Sequence, residues 1–132
     1  MLVDVKGMAP LFQVFDMRRS ITFYRDVLGF EVVSTSSPTP DFGWVLLRQN
    51  GMELMLNTAY DDNERPPVPD PMRVQAHLDT CLYFGCPDVE GMYTYLRAKG
   101  VDAEPPSVAH YGMKQLYLRD PHGFGLCFQW PA

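Results

Sequence analysis

Long apolar runs and basic clusters are both scarce in this 132-residue sequence, and each scarcity excludes a class of protein. The longest apolar runs fall far short of the roughly 18 residues that a membrane-spanning helix needs, so no membrane partner is expected. Lys and Arg number 11 against 16 Asp and Glu, and the densest basic point, Arg18-Arg19, lies close to Asp16. Without a basic patch, nucleic acid is not an expected partner.

Cysteines are also few, and the sequence offers little evidence of a secretory signal. The three cysteines, Cys81, Cys86 and Cys127, are odd in number and form no close pairing motif. This excludes a disulfide scaffold and indicates a reduced, cytoplasmic location. The first stretch of the chain carries Asp4 and Lys6 among its apolar residues, which does not match a secretory signal.

What the sequence does contain is typical of a globular protein. Hydrophobic residues make up 46% and charged residues 20% of the chain, and the formal net charge is −5. A chain of this length and composition buries a real core, as one domain or as two small fused modules.

The order of predicted elements occurs twice along the chain. A short apolar strand is followed by a capping aspartate, Asp16 or Asp88, and then by a helix that ends at Gly29 or Gly100. The two aspartates are 72 residues apart, and three strand-like segments follow each helix. In the first half, Asn50-Gly51 predicts a two-residue hairpin between the last two strands.

Two degenerate βαβββ modules explain this repeat. The predicted boundaries are residues 1–59 for the first module, 60–76 for a Pro-rich linker and 77–132 for the second module. The predicted fold is therefore α+β: two tandem modules, together one compact domain, whose curled mixed sheets enclose a cleft. The linker is expected to contain no central strand or helix, because proline disrupts both.

Two segments carry a resemblance to a known family. "FDMRRSITFYRDVLGFEVV" is similar to the opening helix of the vicinal-oxygen-chelate superfamily, and "LYLRDPHGFGLCF" resembles its closing strand. The superfamily includes glyoxalases, extradiol dioxygenases and bleomycin-resistance proteins. The resemblance implies paired βαβββ modules, a U-shaped cleft and a homodimer. It also implies, for many members, a divalent metal held by His, Gln or Glu at four equivalent positions.

In this sequence those four positions are predicted to be Ala9, Glu53, Cys81 and Cys127, with Ala9 equivalent to Cys81 and Glu53 to Cys127. The glyoxalase pattern is matched at Glu53 alone, so no resident metal or other cofactor is expected. The alternative left open is a divalent metal bound by Glu53, Cys81 and Cys127, because zinc accepts one carboxylate with two thiolates.

Strand alternation predicts which side chains line the cleft. They combine apolar walls with a few polar groups, as small-molecule pockets do. His110 is added because its loop is expected near the cleft mouth, whereas His77 and His122 are interpreted as surface or turn residues. The predicted ligand-binding residues are Gln13, Met55, Asn57, Cys81, Tyr83, His110, Cys127 and Gln129.

Glu53 has two interpretations of equal weight. Between Met52 and Leu54 on a strand, it is expected to be a buried, lone carboxylate with a raised pKa, suited to act as a general base or to anchor a ligand. Alternatively, it is a polar residue on a half-exposed strand, satisfied by water or by Gln13.

Two functions remain open. The favoured one is a metal-free small-molecule-binding protein, for example for a drug or secondary metabolite, similar to the bleomycin-resistance proteins. The alternative is a metal-dependent or Glu53-dependent lyase, isomerase or dioxygenase of the same superfamily.

Overall fold

The computed structural model describes residues 3–39, 42–61 and 63–132. The chain divides into two compact units, Met1–Pro67 and Val68–Ala132, which we call the N-terminal and C-terminal units. Each unit contains one four-stranded mixed sheet with its helices, which confirms the predicted α+β fold of two βαβββ modules. The division falls inside the predicted linker. A single cleft enclosed by both sheets stays a prediction.

The N-terminal unit builds its sheet in the order β1-β4-β3-β2. Strand β1 is parallel to β4, and the other neighbours are antiparallel. Its elements are β1 (Leu11–Gln13), α1 (Met17–Ile21), a π-helical continuation (Thr22–Val27), β2 (Glu31–Thr35), β3 (Trp44–Gln49) and β4 (Met52–Asn57).

The C-terminal unit repeats this arrangement in the order β5-β8-β7-β6, with β5 parallel to β8. An additional helix precedes the repeated elements. The elements are α2 (Pro71–His77), β5 (Cys81–Gly85), α3 (Val89–Ala98), β6 (Ser107–Val108), β7 (Met113–Arg119) and β8 (Gly125–Pro131).

The predicted helix and hairpin signals are confirmed. Asp16 and Asp88 each accept a hydrogen bond from the backbone N–H three residues later, at 3.2 and 2.9 Å. Gly29 adopts φ +84° just after the first helix, where a residue with a side chain would be strained. Asn50 and Gly51 have φ values of 48° and 81°, as a two-residue hairpin of this twist requires.

Two predicted segments differ in the structure. The linker was expected to lack a helix, but α2 begins inside it. Asp70 caps this helix through Met72 N (2.9 Å), and Pro71 is tolerated in the first turn, where its missing N–H would have had no partner. The first of the three strand-like segments predicted after the second helix is reduced to β6, because Pro105 and Pro106 just before it have no N–H for a strand ladder.

The core of each unit lies on one face of its sheet. In the N-terminal unit, Val45, Leu47, Leu54 and Leu56 are buried, as is Tyr24 from the helix. Leu116, Leu118, Leu126 and Phe128 are their counterparts in the C-terminal unit, together with Leu96 of α3. Because side chains alternate along a strand, the other face of each sheet presents a separate set of residues. Within the described part of the chain, no helix has the length and apolarity to cross a bilayer.

Candidate functional site: the open face of the C-terminal sheet

The sheet face opposite the core of the C-terminal unit carries polar and aromatic side chains. We call it the C-terminal open face. It is assembled across β5, β8 and β7 by a register that places Tyr83, Cys127 and Tyr117 side by side in one row. The face comprises Cys81, Tyr83, Gln115, Tyr117, Arg119, Cys127 and Gln129.

Tyr83 and Tyr117 form the centre of this face. Their hydroxyl oxygens are 3.1 Å apart, and their rings meet edge to face with centroids 6.2 Å apart. Tyr83 is 54% exposed and Tyr117 46%, whereas Cys127 between them is fully buried. The pKa of Tyr117 lies well above its ordinary value, first because of the hydrogen bond with Tyr83 and then because of burial and Cys127. The two rings together present an apolar surface with a polar edge at their hydroxyl groups.

A cleft of about 590 Å³ opens at one end of the face, next to Tyr83 and Tyr117. Arg119 lines it and is tied to the main chain: its Nη1 donates to Leu78 O (3.1 Å) and to Gly123 O (3.3 Å). The cleft volume falls within the range typical of small-molecule sites. Its lining consists of Leu78, Asp79, Cys81, Tyr83, Val101, Asp102, Glu104, Tyr117, Leu118, Arg119 and Gly125.

A hydrogen-bonded amide pair lies towards the other end of the face. Gln115 is only 6% exposed, and its Nε2 donates to Gln129 Oε1 (2.9 Å) and to Tyr111 Oη (2.7 Å). Both protons of the Gln115 amide are therefore used, which orients the carboxamide of Gln129. The pair is a fixed polar element rather than two free side chains.

The two thiols of the face are neutral groups. Burial raises the pKa of Cys81, and a smaller opposing effect comes from Arg119. Burial also raises the pKa of Cys127, against a smaller lowering by its hydrogen bond with Tyr117. Since the thiolate is the form that attacks electrophiles, these thiols are poorly suited to nucleophilic attack at neutral pH.

The matching face of the N-terminal unit brings together the other predicted residues. Gln13, Asn57 and Met55 lie on adjacent strands, and Asn57 Nδ2 donates to Gln13 Oε1 (3.2 Å). Glu53 is not the buried, lone carboxylate that was expected. Its Oε2 is 2.9 Å from Nη2 of Arg48, directly across β3 and β4, and the two side chains are 33% and 48% exposed. Glu53 is satisfied by this arginine and not by Gln13.

The strand register corrects the predicted equivalence of Glu53 and Cys127. Leu11 and Tyr83 are equivalent, because each lies two residues after the equivalent pair Ala9 and Cys81. Leu11 pairs with Met55 and Tyr83 pairs with Cys127, so Met55 is the counterpart of Cys127. Glu53 then corresponds to Gly125. The predicted equivalence of Glu53 with Cys127 implies that Gly51 matches Gly125, but Gly51 belongs to a two-residue turn whereas Gly125 is the first residue of β8. The turn that precedes β8 is longer than the Asn50-Gly51 turn that precedes β4, so a match between the two glycines places β4 and β8 out of register.

This correction bears on the metal site that the resemblance implies. The four equivalent positions become Ala9, Glu53, Cys81 and Gly125, of which Ala9 and Gly125 have no donor side chain. Glu53 is paired with Arg48. Within the described residues, no three His, Cys, Asp or Glu side chains are grouped to hold a metal ion. Side-chain donors thus remain at two of the four equivalent positions, Glu53 and Cys81, and the absence of a resident metal stays a prediction.

None of the three histidines is among the described residues that line the cleft. His110 is exposed in the loop between β6 and β7 and contacts Tyr111 at a ring separation of 5.0 Å; it does not line the cleft. His77 stacks on Phe124 at 4.0 Å, and its Nδ1 lies 2.7 Å from His122 O. His122 is in the turn as predicted but is buried. Both help to dock α2 on this turn.

Sequence reasoning missed the residues that β7 contributes. Gln115, Tyr117 and Arg119 share the open face, whereas the strand residues predicted to line the cleft all lie on β1, β4, β5 and β8. The alternation in "MKQLYLR" carried the signal, since Leu116 and Leu118 are the buried positions. Asp79, Asp102 and Glu104 lie outside the strands, and no periodic pattern identifies them.

A family model and several solved structures are similar to this chain. The model described as the Glyoxalase/Bleomycin resistance protein/Dioxygenase superfamily matches residues 9–128. No curated protein matches the chain significantly.

Three crystal structures illustrate the likeness in fold. TioX from Micromonospora sp. ML1 has a TM-score of 0.74 at 16% identity, covering 97% of this chain and 100% of that chain. TnmS3, an antibiotic binding protein from Streptomyces sp. CB03234, has a TM-score of 0.70 at 19% identity, with both chains fully covered. A bleomycin resistance determinant encoded on the transposon Tn5 has a TM-score of 0.70 at 18% identity, covering 96% and 98%.

Proposed function

Because this chain belongs to the Glyoxalase/Bleomycin resistance protein/Dioxygenase superfamily, we propose that it binds a small, partly apolar molecule on its C-terminal open face without a resident metal ion. The carrying observation is the Tyr83–Tyr117 pair, two half-exposed rings beside a cleft of about 590 Å³. Large apolar rings exposed next to a concavity favour binding of an apolar ligand group.

The polar groups of the face support the same function. The carboxamide of Gln129 is oriented by Gln115, and the phenol oxygens of the tyrosine pair offer further hydrogen-bonding capacity. A few oriented polar groups among apolar walls give a binding site its specificity. Two fold relatives are described as an antibiotic binding protein and a bleomycin resistance determinant, so a drug or secondary metabolite is the proposed ligand type.

The chemistry of the site favours binding over catalysis. The thiols are held neutral by burial, and the carboxylate of Glu53 is paired with Arg48. The predicted catalytic role of Glu53 is therefore not part of the proposal.

The proposal includes a reducing location and a homodimer. Its three cysteines are free, which suits a reducing compartment, and homodimers follow from the family resemblance. Light scattering of the purified protein is expected to give twice the chain mass of 15.1 kDa.

Thermal denaturation in a library of small molecules tests the binding function. A ligand that binds only the folded state raises its stability, by about 2.7 kcal/mol at one hundred times the dissociation constant. We expect hits for the wild-type protein and for Tyr95→Ala on α3, but none for Tyr117→Ala. Treatment with a chelator should leave the hits unchanged. Binding that is lost with the chelator and restored by a divalent metal would contradict the proposal.

A further inference from the structure

The cleft beside Tyr83 and Tyr117 contains more negative than positive groups. Three carboxylates, Asp79, Asp102 and Glu104, line it together with one guanidinium, that of Arg119. Among the described residues that line it, none is a histidine or a lysine. The cleft walls therefore have a net negative charge at neutral pH.

The contacts of these charged groups leave the negative charge of the cleft largely uncompensated. Asp102 faces Arg97 at 3.4 Å, but its side chain is fully exposed, so solvent screens this pair. Among the described residues, neither Asp79 nor Glu104 has an ion-pair partner. Their negative charges are not neutralised by a neighbouring protein cation.

The single cation of the cleft is oriented by the main chain. Nη1 of Arg119 donates to two carbonyl oxygens, of Leu78 and Gly123. A Cβ atom on Gly125 would lie 3.0 Å from the same Nη1, so the guanidinium lies close against the floor formed by β8. Arg119 thus connects the end of α2 to the turn before β8, which assigns it a structural role in the cleft.

The neutral side chains next to the carboxylates are aromatic. Tyr83 and Tyr117 line the same cleft and are both close to half exposed. A ring face attracts a cation and also packs against a planar apolar group. The lining therefore offers an aromatic surface and negative charge within one cavity of about 590 Å³.

We propose that the ligand of the C-terminal open face is an organic cation, an amine attached to an aromatic or otherwise planar body. The planar body packs on Tyr83 and Tyr117, and the ammonium group lies among Asp79, Asp102 and Glu104. This inference rests on the proposed binding function and adds to it the charge and shape of the ligand.

Three probes with the same ring system test the charge. Naphthylethylamine, naphthylethanol and naphthylpropionate are cationic, neutral and anionic at pH 7, and each is small enough for the cleft. Binding is measured by titration calorimetry, and its position by amide chemical shifts of Tyr83, Tyr117 and Arg119. We expect the amine to bind about tenfold more tightly than the propionate at about 0.01 M salt, with a smaller ratio at about 0.15 M because screening shortens the range of the charges.

Matched variants test whether the carboxylates of the cleft cause the tighter binding of the amine. Asp79→Asn combined with Glu104→Gln should reduce the ratio between amine and propionate to about twofold or less, because two unpaired negative charges are removed. Glu90→Gln on α3 is the control, since Glu90 is paired with Lys114 and lies outside the cleft lining. This control should retain the wild-type ratio.

The outcomes separate this inference from the proposed function. Equal binding of all three probes at the cleft, or tighter binding of the propionate, would overturn the cationic ligand class while leaving a binding function in place. Absence of binding by every probe at millimolar concentration would also overturn it. The proposed function has its own test in the library screen and fails if no library compound protects the wild-type protein.

Discussion

The hydroxyl of Tyr83 lies 3.1 Å from the hydroxyl of Tyr117, on two strands that both pair with β8 but not with each other. The two phenols reach across the strand between them and cover the buried thiol of Cys127. This contact joins residues 34 positions apart in the sequence into one aromatic surface. It is the centre of the proposed site.

The first prediction concerns the titration of Tyr117. In Tyr83→Phe, the largest cause of the raised pKa of Tyr117 is removed, so Tyr117 should ionise at a lower pH than in the wild-type protein. The ultraviolet absorbance of phenolate against pH measures this change, and Tyr95→Phe on α3 is the control. An unchanged titration of Tyr117 in Tyr83→Phe would show that the hydroxyl contact does not form.

The same contact gives a pH dependence of stability. A phenol whose pKa is raised in the folded state stabilises that state below its unfolded pKa of about 10, and loses the contribution as pH rises. The difference in unfolding free energy between wild-type and Tyr83→Phe should therefore be constant near neutral pH and shrink above about pH 10. A difference that grows with rising pH contradicts this assignment.

The second prediction concerns Glu53. Glu53→Gln should lower the free energy of unfolding by only about 0.2–1 kcal/mol, as expected for a partly exposed cross-strand ion pair. It should leave ligand binding at the C-terminal open face unchanged. Urea denaturation of Glu53→Gln, Arg48→Gln and the double variant measures the coupling between the two side chains.

A different result for Glu53 would revive the enzyme alternative. If Glu53→Gln abolishes ligand binding or a measured turnover while its urea denaturation matches that of Arg48→Gln, the carboxylate has a functional role. The comparison with Arg48→Gln is needed because both variants break the same ion pair.

The third prediction concerns the floor of the cleft at Gly125. A Cβ atom there would lie 3.0 Å from Arg119 Nη1, 3.1 Å from Thr80 O and 3.2 Å from Cys81 Cβ. Two of these three atoms are in strand or backbone positions that move little, so Gly125→Ala should destabilise the protein by about 1–3 kcal/mol. Gly7→Ala, where nothing lies within 4 Å, should be close to neutral. Equal melting temperatures for the two variants would be inconsistent with this close packing.

The fourth prediction concerns the reactivity of the thiols. Cys127 is fully buried and the pKa values of all three cysteines are raised, in each case mainly by burial. At pH 8 the folded protein should therefore react with iodoacetamide much more slowly than the urea-denatured protein, and most slowly at Cys127. Mass spectrometry of peptides from a time course measures each site. Labelling of Cys127 at the denatured rate would exclude its position beneath the tyrosine pair.

Local patterns in the chain account for the elements of the fold. Asp16 and Asp88 cap helices, Gly29 ends one, and Asn50-Gly51 forms the predicted hairpin, because each of these depends on residues within a few positions of one another. Alternation along β4 likewise assigned Glu53 and Met55 to one face of that strand, and alternation along β8 assigned Cys127 to the equivalent face of its own strand. These features follow from backbone geometry and short-range hydrogen bonds, which a sequence displays directly.

Contacts between distant strands required the folded chain. The pairing of Tyr83 with Cys127 reassigned the counterpart of Glu53 to Gly125, and the pairing of β3 with β4 placed Arg48 beside Glu53. The cleft charges likewise come from loops before β5 and after α3. Register depends on hydrogen bonds between segments dozens of residues apart and on the length of each turn. A one-residue difference in a turn leaves the local pattern almost unchanged, yet it changes which side chains meet.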